Sequence, residues 1–363
     1  MAIIATVAQL AQFDDIIDVR SPSEFREDHI PGALNFPVLD DEERARIGTL
    51  YKQSPFEAKK AGAALVARNI ARHIEQHFAP KPKNWRPLIY CWRGGKRSGS
   101  MAHILAEIGW AAAQLEGGYK AYRRLVLEEL QILPHRFDWR VICGPTGSGK
   151  SRLLQALDSL GAQVLDLEEL AAHRGSILGN LPDVPQPSQK TFESRVWSKL
   201  HGFVPQQPVY VEAESKKIGR VRVPDALLAA MWAGRCIRLE PDPALRVGLL
   251  KEEYRHFLEA PEGLAKKLDF LAGLHGRELV GKWQSMAQSG QWDQLVAELL
   301  ERHYDPAYGK STLKHYPNHA DGLLVRPADL SSGAMLELAR WLMTPSAGAS
   351  GAPLDAAGKS ASL

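Results

Sequence analysis

The stretch VICGPTGSGKS, residues 141–151, decides the fold of this chain of 363 residues. It begins within an apolar run, WRVIC (139–143), that is typical of a buried strand. It leads into SRLLQALDSLG (151–161), which has the apolar spacing of an amphipathic helix and a glycine to end it. A turn of the form G-x-x-x-x-G-K-[S/T] between a strand and a helix is the setting of a phosphate-binding P-loop. The sequence therefore predicts an α/β fold that holds a phosphate group.

The residues of this turn suit the groups of a phosphate chain. Backbone N–H groups from Gly147 to Lys150 can surround an oxyanion, and the Lys150 ammonium can neutralise the outer phosphate. Such a loop recognises a diphosphate or a polyphosphate, and it does not require adenine. The predicted phosphate-binding residues are Gly144, Pro145, Thr146, Gly147, Ser148, Gly149, Lys150 and Ser151.

A divalent cation would share the phosphate site, and Mg²⁺ is the candidate ion. The Ser151 hydroxyl can hold such an ion. The acidic partner is left open between Asp166, in the predicted strand QVLDL, and Glu212, which follows the predicted strand PVYV with Glu214 close behind. No tightly bound cofactor is expected.

A second glycine-containing turn, YCWRGGKRSGS (90–100), follows another predicted buried strand, PLIYC (87–91). A helix is predicted to begin near Ser98, so its positive dipole end and the loop N–H groups would favour an anion. Such surroundings lower the pKa of a thiol and make it a nucleophile, so we expect Cys91 to be catalytic and able to carry sulfur or selenium. The loop residues expected to stabilise the thiolate or selenide are Trp92, Arg93, Gly94, Gly95, Lys96 and Arg97.

The rest of the chain alternates strands and helices, as a parallel sheet covered on both faces requires. DIIDV (15–19) is a predicted strand, SPSEF (21–25) a capped helix start and 56–78 a helix with one apolar stripe. The predicted segments are an α/β domain with the cysteine loop (1–134), a P-loop α/β domain (135–240), its mainly helical extension (241–345) and a disordered tail (346–363).

Composition narrows the class of protein. The chain is 45% hydrophobic and 24% charged, which is ordinary for a globular protein. It has no apolar run of about eighteen residues that would predict a membrane span, and we expect no secretory signal. Its cysteines, Cys91, Cys143 and Cys236, lack the spacing of a zinc site or a disulfide framework, so the cytoplasm is the simplest setting. The net charge of +3 is too small to indicate nucleic-acid binding by itself.

Three segments, in order, resemble the rhodanese domain, a sulfurtransferase fold: DVRSPSEFREDHIPGALNFP (18–37), the C-x-x-G-x-x-R of the cysteine loop, and LEGGYKAYRR (115–124). A rhodanese domain fused to a P-loop domain resembles the bacterial tRNA 2-selenouridine synthases. Further segments that resemble that family are DLEELAAHRGSILG (166–179), KTFESRVW (190–197) and VEAESKKIGRVRVP (211–224). The resemblance implies a rhodanese-like parallel-sheet domain followed by a P-loop NTPase-like α/β domain with a helical C-terminal part.

The same resemblance implies a reaction at the wobble uridine of certain tRNAs, which already carries sulfur at C2. A geranyl group from geranyl diphosphate alkylates the sulfur, and selenium from selenophosphate then replaces the geranylated sulfur. The P-loop would serve the departing diphosphate rather than ATP hydrolysis. Cys91 would either carry selenium or attack C2. The enzyme that makes selenophosphate is an expected transient partner.

Two basic clusters are candidates for holding the RNA, SKKIGRVR (215–222) and AAHRGS (171–176). Charge clusters are more often solvated faces than binding sites, so the family resemblance carries this interpretation. The RNA-binding candidates are Arg174, Lys216, Lys217, Arg220 and Arg222.

Two other functions fit the two loops when they are taken alone. One is an ATP-dependent rhodanese-type sulfurtransferase acting on RNA, in which Cys91 delivers sulfur. The other is a nucleotide-switched binding module, in which the P-loop controls a partner and Cys91 senses redox state. Cys143 and Cys236 lie within apolar strand patterns, so we expect them to be structural.

Overall fold

A computed structural model describes residues 3–175, 179, 184–259 and 261–344. The chain divides into two compact units, the first formed by Met1–Leu130 with Pro187–Ser198 and the second by Gln131–Gln186 with Lys199–Leu363. The tail predicted from residue 346 lies outside the described residues.

The elements are numbered in chain order. The strands are β1 (Ile3–Ala5), β2 (Asp15–Asp18), β3 (Leu34–Asn35), β4 (Pro87–Tyr90), β5 (Ala113–Leu115), β6 (Asp138–Cys143), β7 (Gln163–Leu165), β8 (Pro208–Glu212), β9 (Lys217–Ile218), β10 (Val221–Arg222), β11 (Arg235–Leu239) and β12 (Leu323–Val325). The helices are α1 (Pro22–Glu27), α2 (Asp41–Gln53), α3 (Pro55–His73), α4 (Lys96–Ile108), α5 (Gly118–Glu129), α6 (Lys150–Ser159), α7 (Leu167–Ala171), α8 (Gln189–His201), α9 (Asp225–Ala233), α10 (Pro243–Glu253), α11 (Arg255–Glu259), α12 (Pro261–Leu268), α13 (Ala272–His275), α14 (Arg277–Gln288), α15 (Trp292–Leu299), α16 (Asp305–His315) and α17 (Ser332–Leu342). Short 3-10 or π-helical turns lie at Val7–Gln12, Ile74–Phe78, Leu133–Arg136, Asp269–Leu271, Leu300–Tyr304 and Pro317–His319.

The first unit is built on a parallel sheet with the strand order β1-β5-β4-β2-β3. The predicted strands DIIDV and PLIYC are confirmed as β2 and β4. Leu88, Ile89 and Tyr90 of β4 are fully buried, as expected of a parallel strand covered on both faces. Because β4 is flanked by β5 and β2, the residue that follows it is held at a fixed position at the carboxyl end of a central strand.

The predicted helices of the first unit are also confirmed. Ser21 caps α1, Pro22 takes its first position, and the Ser21 N–H donates to the Glu24 carboxylate at 3.2 Å. The helix predicted over 56–78 is α3, which continues as the turn Ile74–Phe78. Its buried stripe includes Ile70, which is fully buried.

Residues 187–198, which contain most of α8, group with the first unit, although they follow the P-loop in sequence. The Ser194 hydroxyl donates to the Asp28 carboxylate at 3.1 Å, and the Trp197 indole N–H donates to the Glu129 carboxylate at 2.6 Å. These partners lie far away in sequence. The apolar spacing of a helix shows that it packs, but it does not identify the sheet that it packs on.

The second unit is built on a parallel sheet with the strand order β12-β11-β6-β8-β7. The strands WRVIC, PVYVE and RCIRL are confirmed as β6, β8 and β11. QVLDL forms a strand only to Leu165, because Asp166 caps helix α7. Cys143, at the end of β6, is fully buried, as a structural cysteine would be.

The chain between β11 and β12 is mainly helical, as predicted, and has an apolar core of its own around Trp283 and Leu268. An antiparallel hairpin, β9–β10, follows β8. Within the described residues, we find no helix with the length and apolar character that crossing a membrane requires.

Candidate active sites in the two units

Cys91 of the first unit directly follows β4, where the chain turns towards α4. Its side chain is 3% exposed. The Gly95 N–H donates to its Sγ atom at 3.3 Å, and the Ser98 hydroxyl donates to Sγ at 3.2 Å. Ser98 is itself held by the Gln114 side chain, whose Nε2 lies 3.0 Å from the Ser98 oxygen. The sulfur therefore accepts hydrogen bonds from the N-terminal turn of a helix.

These hydrogen bonds favour the thiolate. Burial is the largest single influence on Cys91 and acts to raise its pKa. The Ser98 hydroxyl and the backbone N–H groups of Ser98, Gly95 and Arg93 act in the opposite direction, and the net result is a lowered pKa. The cysteine loop therefore suits a small, singly charged chalcogen anion.

The cations of the loop are placed differently from expectation. Arg97 forms an ion pair with Glu24 at 3.1 Å, and the side chains of Arg93 and Lys96 are exposed. The largest influences that lower the Cys91 pKa are hydrogen bonds, not charges. The local sequence does not show that Glu24, 73 residues away, is the acidic partner of Arg97.

The two loop glycines have different roles. Gly94 has φ +63°, and a Cβ there would lie 2.6 Å from the Leu115 carbonyl oxygen. Gly95 has φ −97° and open space around it, and it is the N-cap of α4. Only Gly94 therefore requires a glycine.

The segment that resembles the rhodanese closing motif packs on the back of the loop. The Tyr119 N–H donates to the Cys91 carbonyl at 2.8 Å, and the Lys120 N–H donates to the Trp92 carbonyl at 3.0 Å. The Trp92 ring is half-buried and stacks on the Tyr119 ring with centroids 5.3 Å apart. This segment fixes the loop and holds the Trp92 indole on one side.

In the second unit, the P-loop joins β6 to α6. Gly147 and Gly149 have φ +77° and +87°, values that favour glycine. The Ser148 N–H, one of the groups expected to surround an oxyanion, instead donates to the Pro145 carbonyl at 3.1 Å. This hydrogen bond closes the turn of the loop. The Lys150 ammonium lies over the loop, because its Nζ donates to the Gly144 carbonyl at 2.9 Å.

Arg246 of α10 ties the helical part of the second unit to this loop. Its Nε donates to the Thr146 carbonyl at 2.9 Å. Its two terminal nitrogens bind the Asp305 carboxylate at 3.0 and 2.6 Å. Arg246 is 5% exposed, whereas the Asp305 side chain is 39% exposed, so the guanidinium is buried and the carboxylate stays open to water.

The P-loop opens on a polar cavity of 510 Å³ at the carboxyl ends of β6, β7 and β8. Ligands of open α/β sheets bind at this edge. Thr146, Gly147, Lys150 and Ser151 line one part of the cavity, as the sequence predicts. The cavity is large enough for a group much bigger than a single ion.

Three carboxylates line another part of the same cavity. Glu168, Glu212 and Glu214 each offer one oxygen, and these oxygens all lie within 4.8 Å of one another. Burial, followed by mutual repulsion, raises the pKa of Glu168 and Glu212 well above the ordinary value and that of Glu214 to about 8. Lys150 offsets only part of this repulsion.

This group of carboxylates fits a divalent cation. Glu212 is 1% exposed, and within the described part of the chain its Oε1 has no hydrogen-bond partner. Clustered carboxylate oxygens are the ligands that Mg²⁺ prefers, and its charge would relieve the repulsion between them.

The carboxylate cluster contains one of the two acidic residues between which the sequence left the choice open. Glu212 belongs to the cluster, whereas Asp166 accepts the Glu169 N–H at 2.8 Å and caps α7. Asp166 lines the cavity, and the cap uses its Oδ1. Glu168 was not predicted as a metal ligand. It lies in the short helix α7, and only the folded chain brings it close to Glu212.

The predicted RNA-binding residues fall into two groups. Arg174 lines the polar cavity and donates to the Glu253 carbonyl at 2.9 Å. Lys216, Lys217, Arg220 and Arg222 form the second group, which we call the basic hairpin, and all four are exposed. The side chains that anchor the basic hairpin from its inner face are Ile218, Val221 and Val223, all buried.

The fold and the two loops define a class: a rhodanese-like domain followed by a P-loop domain of the AAA type. The family model of the rhodanese-like domain matches residues 5–125. The family model of the tRNA 2-selenouridine synthase AAA domain matches residues 137–269.

Similarity to curated proteins extends over both units. A tRNA 2-selenouridine synthase of Nitrosomonas europaea is 38% identical over 258 residues, which are 70% of this chain and 66% of that protein. One of Hydrogenovibrio crunogenus is 33% identical over 331 residues, covering 81% and 88%. One of Aeromonas salmonicida is 34% identical over 333 residues, covering 81% and 87%. The chain belongs to the tRNA 2-selenouridine synthase family.

Proposed function

We propose that this chain is a transferase that replaces sulfur with selenium in 2-thiouridine at the wobble position of tRNA. Its small substrates are geranyl diphosphate and selenophosphate. The named activity of its relatives supports the general reaction. The observation that carries the two-step form is the presence, in one chain, of a hydrogen-bonded Cys91 and a P-loop on a large polar cavity.

The first step joins the geranyl group to sulfur. The sulfur at C2 of the base attacks C1 of geranyl diphosphate, a C–S bond forms, and diphosphate leaves with the electrons of the C–O bond. The proton on N3 of the base is released. The P-loop N–H groups and Lys150 would stabilise the charge that develops on the leaving diphosphate. The thiocarbonyl sulfur, a poor leaving group, thereby becomes an alkylthio group that can leave as geranyl thiolate.

The second step uses Cys91. Its thiolate attacks C2, and geranyl thiolate leaves and takes up a proton. Cleavage of selenophosphate by water supplies hydrogen selenide ion and phosphate. The selenide then displaces Cys91 from C2, its proton moves to N3, and the Cys91 thiolate is restored. The lowered pKa of Cys91 supports this role, since the sulfur must both attack and leave as an anion.

Mg²⁺ fits this scheme as a bound ion. Glu168, Glu212 and Glu214 would hold it, and it would supply positive charge beside the diphosphate.

The basic hairpin is the proposed surface for the RNA backbone, because exposed cations attract phosphates and its apolar inner face keeps it in place. The proposed setting is the cytoplasm, where thiols stay reduced and Cys91 can act. The enzyme that makes selenophosphate is the proposed transient partner.

The test is mass spectrometry of an anticodon stem-loop RNA that contains 2-thiouridine, incubated with the protein and each donor in turn. We expect geranyl diphosphate alone to give the S-geranyl nucleoside and later addition of selenophosphate to give 2-selenouridine. Modification that requires hydrolysable ATP and thiosulfate, with no response to geranyl diphosphate, would instead support an ATP-dependent sulfurtransferase. Tight nucleotide binding without any RNA product would support a binding module.

A further inference from the structure

A second cavity, which is apolar, lies beside the polar one in the second unit. Its walls come from α10, α11, α12, α15 and the turn that follows α15. Phe257, Leu264, Leu295 and Leu299 line it and are buried. Lys251 lies on its wall and forms an ion pair with Asp293 at 2.8 Å. The proposed reaction at the P-loop and the carboxylates does not use this space.

The two cavities share part of their walls. Thr146, Leu250, Tyr254 and Tyr304 line both of them. Leu250 also packs against the P-loop backbone, since a Cβ on Gly147 would lie 2.9 Å from its side chain. A ligand with a polar end on the P-loop therefore meets apolar side chains directly beyond the loop.

Tyr254 marks this boundary most clearly. The guanidinium of Arg174, a residue of the polar cavity, lies 5.2 Å from the centre of the Tyr254 ring. The ring of Phe257, a residue of the apolar cavity, stacks on Tyr254 with centroids 6.0 Å apart. A cation and a hydrocarbon wall thus contact the same aromatic ring.

We propose that the apolar cavity binds the prenyl chain of an allylic diphosphate whose phosphates lie on the P-loop. This inference rests on the proposed function, which takes geranyl diphosphate as the donor. Such a donor is charged at one end and hydrocarbon at the other, and the adjoining cavities have the same order. The first carbon of the chain, where the bond breaks, then lies at the shared wall formed by Thr146, Tyr254 and Tyr304.

The cavity also limits the length of the chain. It is small, 60 Å³ against 510 Å³ for the polar cavity, so a prenyl chain must displace the half-buried rings at its edge. Trp292, Tyr254 and Tyr304 are such rings. Each added isoprene unit requires more displacement in a packed interior. A ten-carbon chain is therefore preferred over a fifteen-carbon chain.

Calorimetric titration of the full chain with inorganic diphosphate, geranyl diphosphate and farnesyl diphosphate, without RNA, tests the proposal. The wild type should bind geranyl diphosphate more tightly than either of the others. Val296→Phe, on a half-buried wall position of α15, should weaken geranyl diphosphate tenfold or more and leave inorganic diphosphate within twofold. Ala297→Phe, at the adjacent exposed position, is the matched control and should change neither.

A second variant enlarges the cavity. Leu258→Ala, at a half-buried wall position of α11, should raise the affinity for farnesyl diphosphate relative to geranyl diphosphate threefold or more. Retained binding of inorganic diphosphate shows that each variant is folded. If the wild type prefers geranyl diphosphate but both variants keep its selectivity, the pocket is refuted and the donor stands. Equal binding of geranyl and inorganic diphosphate by the wild type overturns both the pocket and the proposed donor.

Discussion

The cysteine loop and the P-loop both favour an anion, but they do so by different means. The cysteine loop holds one sulfur atom, 3% exposed, with hydrogen bonds from Gly95 and Ser98. The P-loop carries a lysine and opens on a cavity of 510 Å³ that also holds three carboxylates. The first is a close-packed site for a single atom, and the second is an open site for a group of many charges.

This difference shows that a glycine-rich turn after a parallel strand does not fix the chemistry by itself. In the cysteine loop, packing and short hydrogen bonds set the charge of an atom of the protein. In the P-loop, the Lys150 ammonium and an open cavity are available to the charged atoms of a ligand. Variants should therefore damage the first loop through its shape and the second through its charge.

The largest expected effect is at the charge of the P-loop. Lys150→Ala should weaken the binding of inorganic diphosphate on the order of 100-fold, because it removes the ammonium held over the loop. The measurement is calorimetric titration, and Lys310→Ala, at an exposed position of α16, is the control. A change below threefold would show that backbone N–H groups alone hold the anion.

The next effect concerns the shape of the cysteine loop. Gly94→Ala should destabilise the fold by about 2–3 kcal/mol, because it combines a positive φ with a clash against the rigid Leu115 carbonyl. Gly147→Ala, which also has a positive φ, should cost less, because its Cβ meets the movable Leu250 side chain at 2.9 Å and a backbone atom, the Arg246 carbonyl oxygen, only at 3.2 Å. The midpoint of thermal unfolding measures both, with Gly95→Ala as the control in open space. Equal shifts for Gly94→Ala and Gly95→Ala would contradict the assignment of strain to Gly94.

A smaller effect tests the hydrogen bonds to Cys91. Its alkylation by iodoacetamide should rise with pH through a midpoint below the ordinary 9.0, since only the thiolate reacts. Ser98→Ala removes a leading cause of the lowered pKa of Cys91, so the alkylation midpoint should rise and the alkylation rate at pH 7 should fall several-fold. Peptide mapping by mass spectrometry follows Cys91 separately from Cys143, which serves as an internal control because the Cys236 hydrogen bond and burial raise its pKa.

The sign of the linked stability follows from the same shift. Because the folded pKa of Cys91 is lower than the unfolded one, its stabilising contribution is present above the unfolded pKa and is lost as pH falls through the folded pKa.

An unchanged alkylation midpoint in Ser98→Ala would show that the Ser98 hydroxyl does not control the thiolate.

The smallest expected effect is at the basic hairpin. Replacing Lys216, Lys217 and Arg220 by Ala should weaken tRNA binding and reduce the slope of log K against log salt by about 2. The matched control replaces three exposed cations of α3, Lys59, Lys60 and Arg68. Filter binding over a range of salt measures both, and equal slopes in the two triple variants would remove the basic hairpin from the RNA surface.

Much of the fold could be predicted from local sequence. The strands β2, β4, β6, β8 and β11 follow from short apolar runs, and the cap of α1 follows from Ser21 and Glu24. These signals act within a few residues of one another. The grouping of residues 187–198 with the first unit could not be predicted, because it depends on contacts such as that between Asp28 and Ser194, 166 residues apart.

The same limit applies to the candidate sites. Cys91 and Lys150 are recognisable because each lies in a turn with a defined pattern. Ser98 and Gln114 are not, since their role is a hydrogen-bond chain to sulfur that only the folded sheet brings together. The apolar cavity is likewise built from four helices, and the apolar residues that line it have the same helical spacing in the sequence as residues of an ordinary packed core.

The most direct test of the division of labour is product analysis with Cys91→Ala and Lys150→Ala on two RNAs, one with 2-thiouridine and one with S-geranyl-2-thiouridine already in place. We predict that Cys91→Ala accumulates the geranylated RNA and forms no 2-selenouridine. We predict that Lys150→Ala fails to geranylate but converts the supplied geranylated RNA in the presence of selenophosphate. Equal loss of both steps in Cys91→Ala would contradict the assignment of one step to each loop.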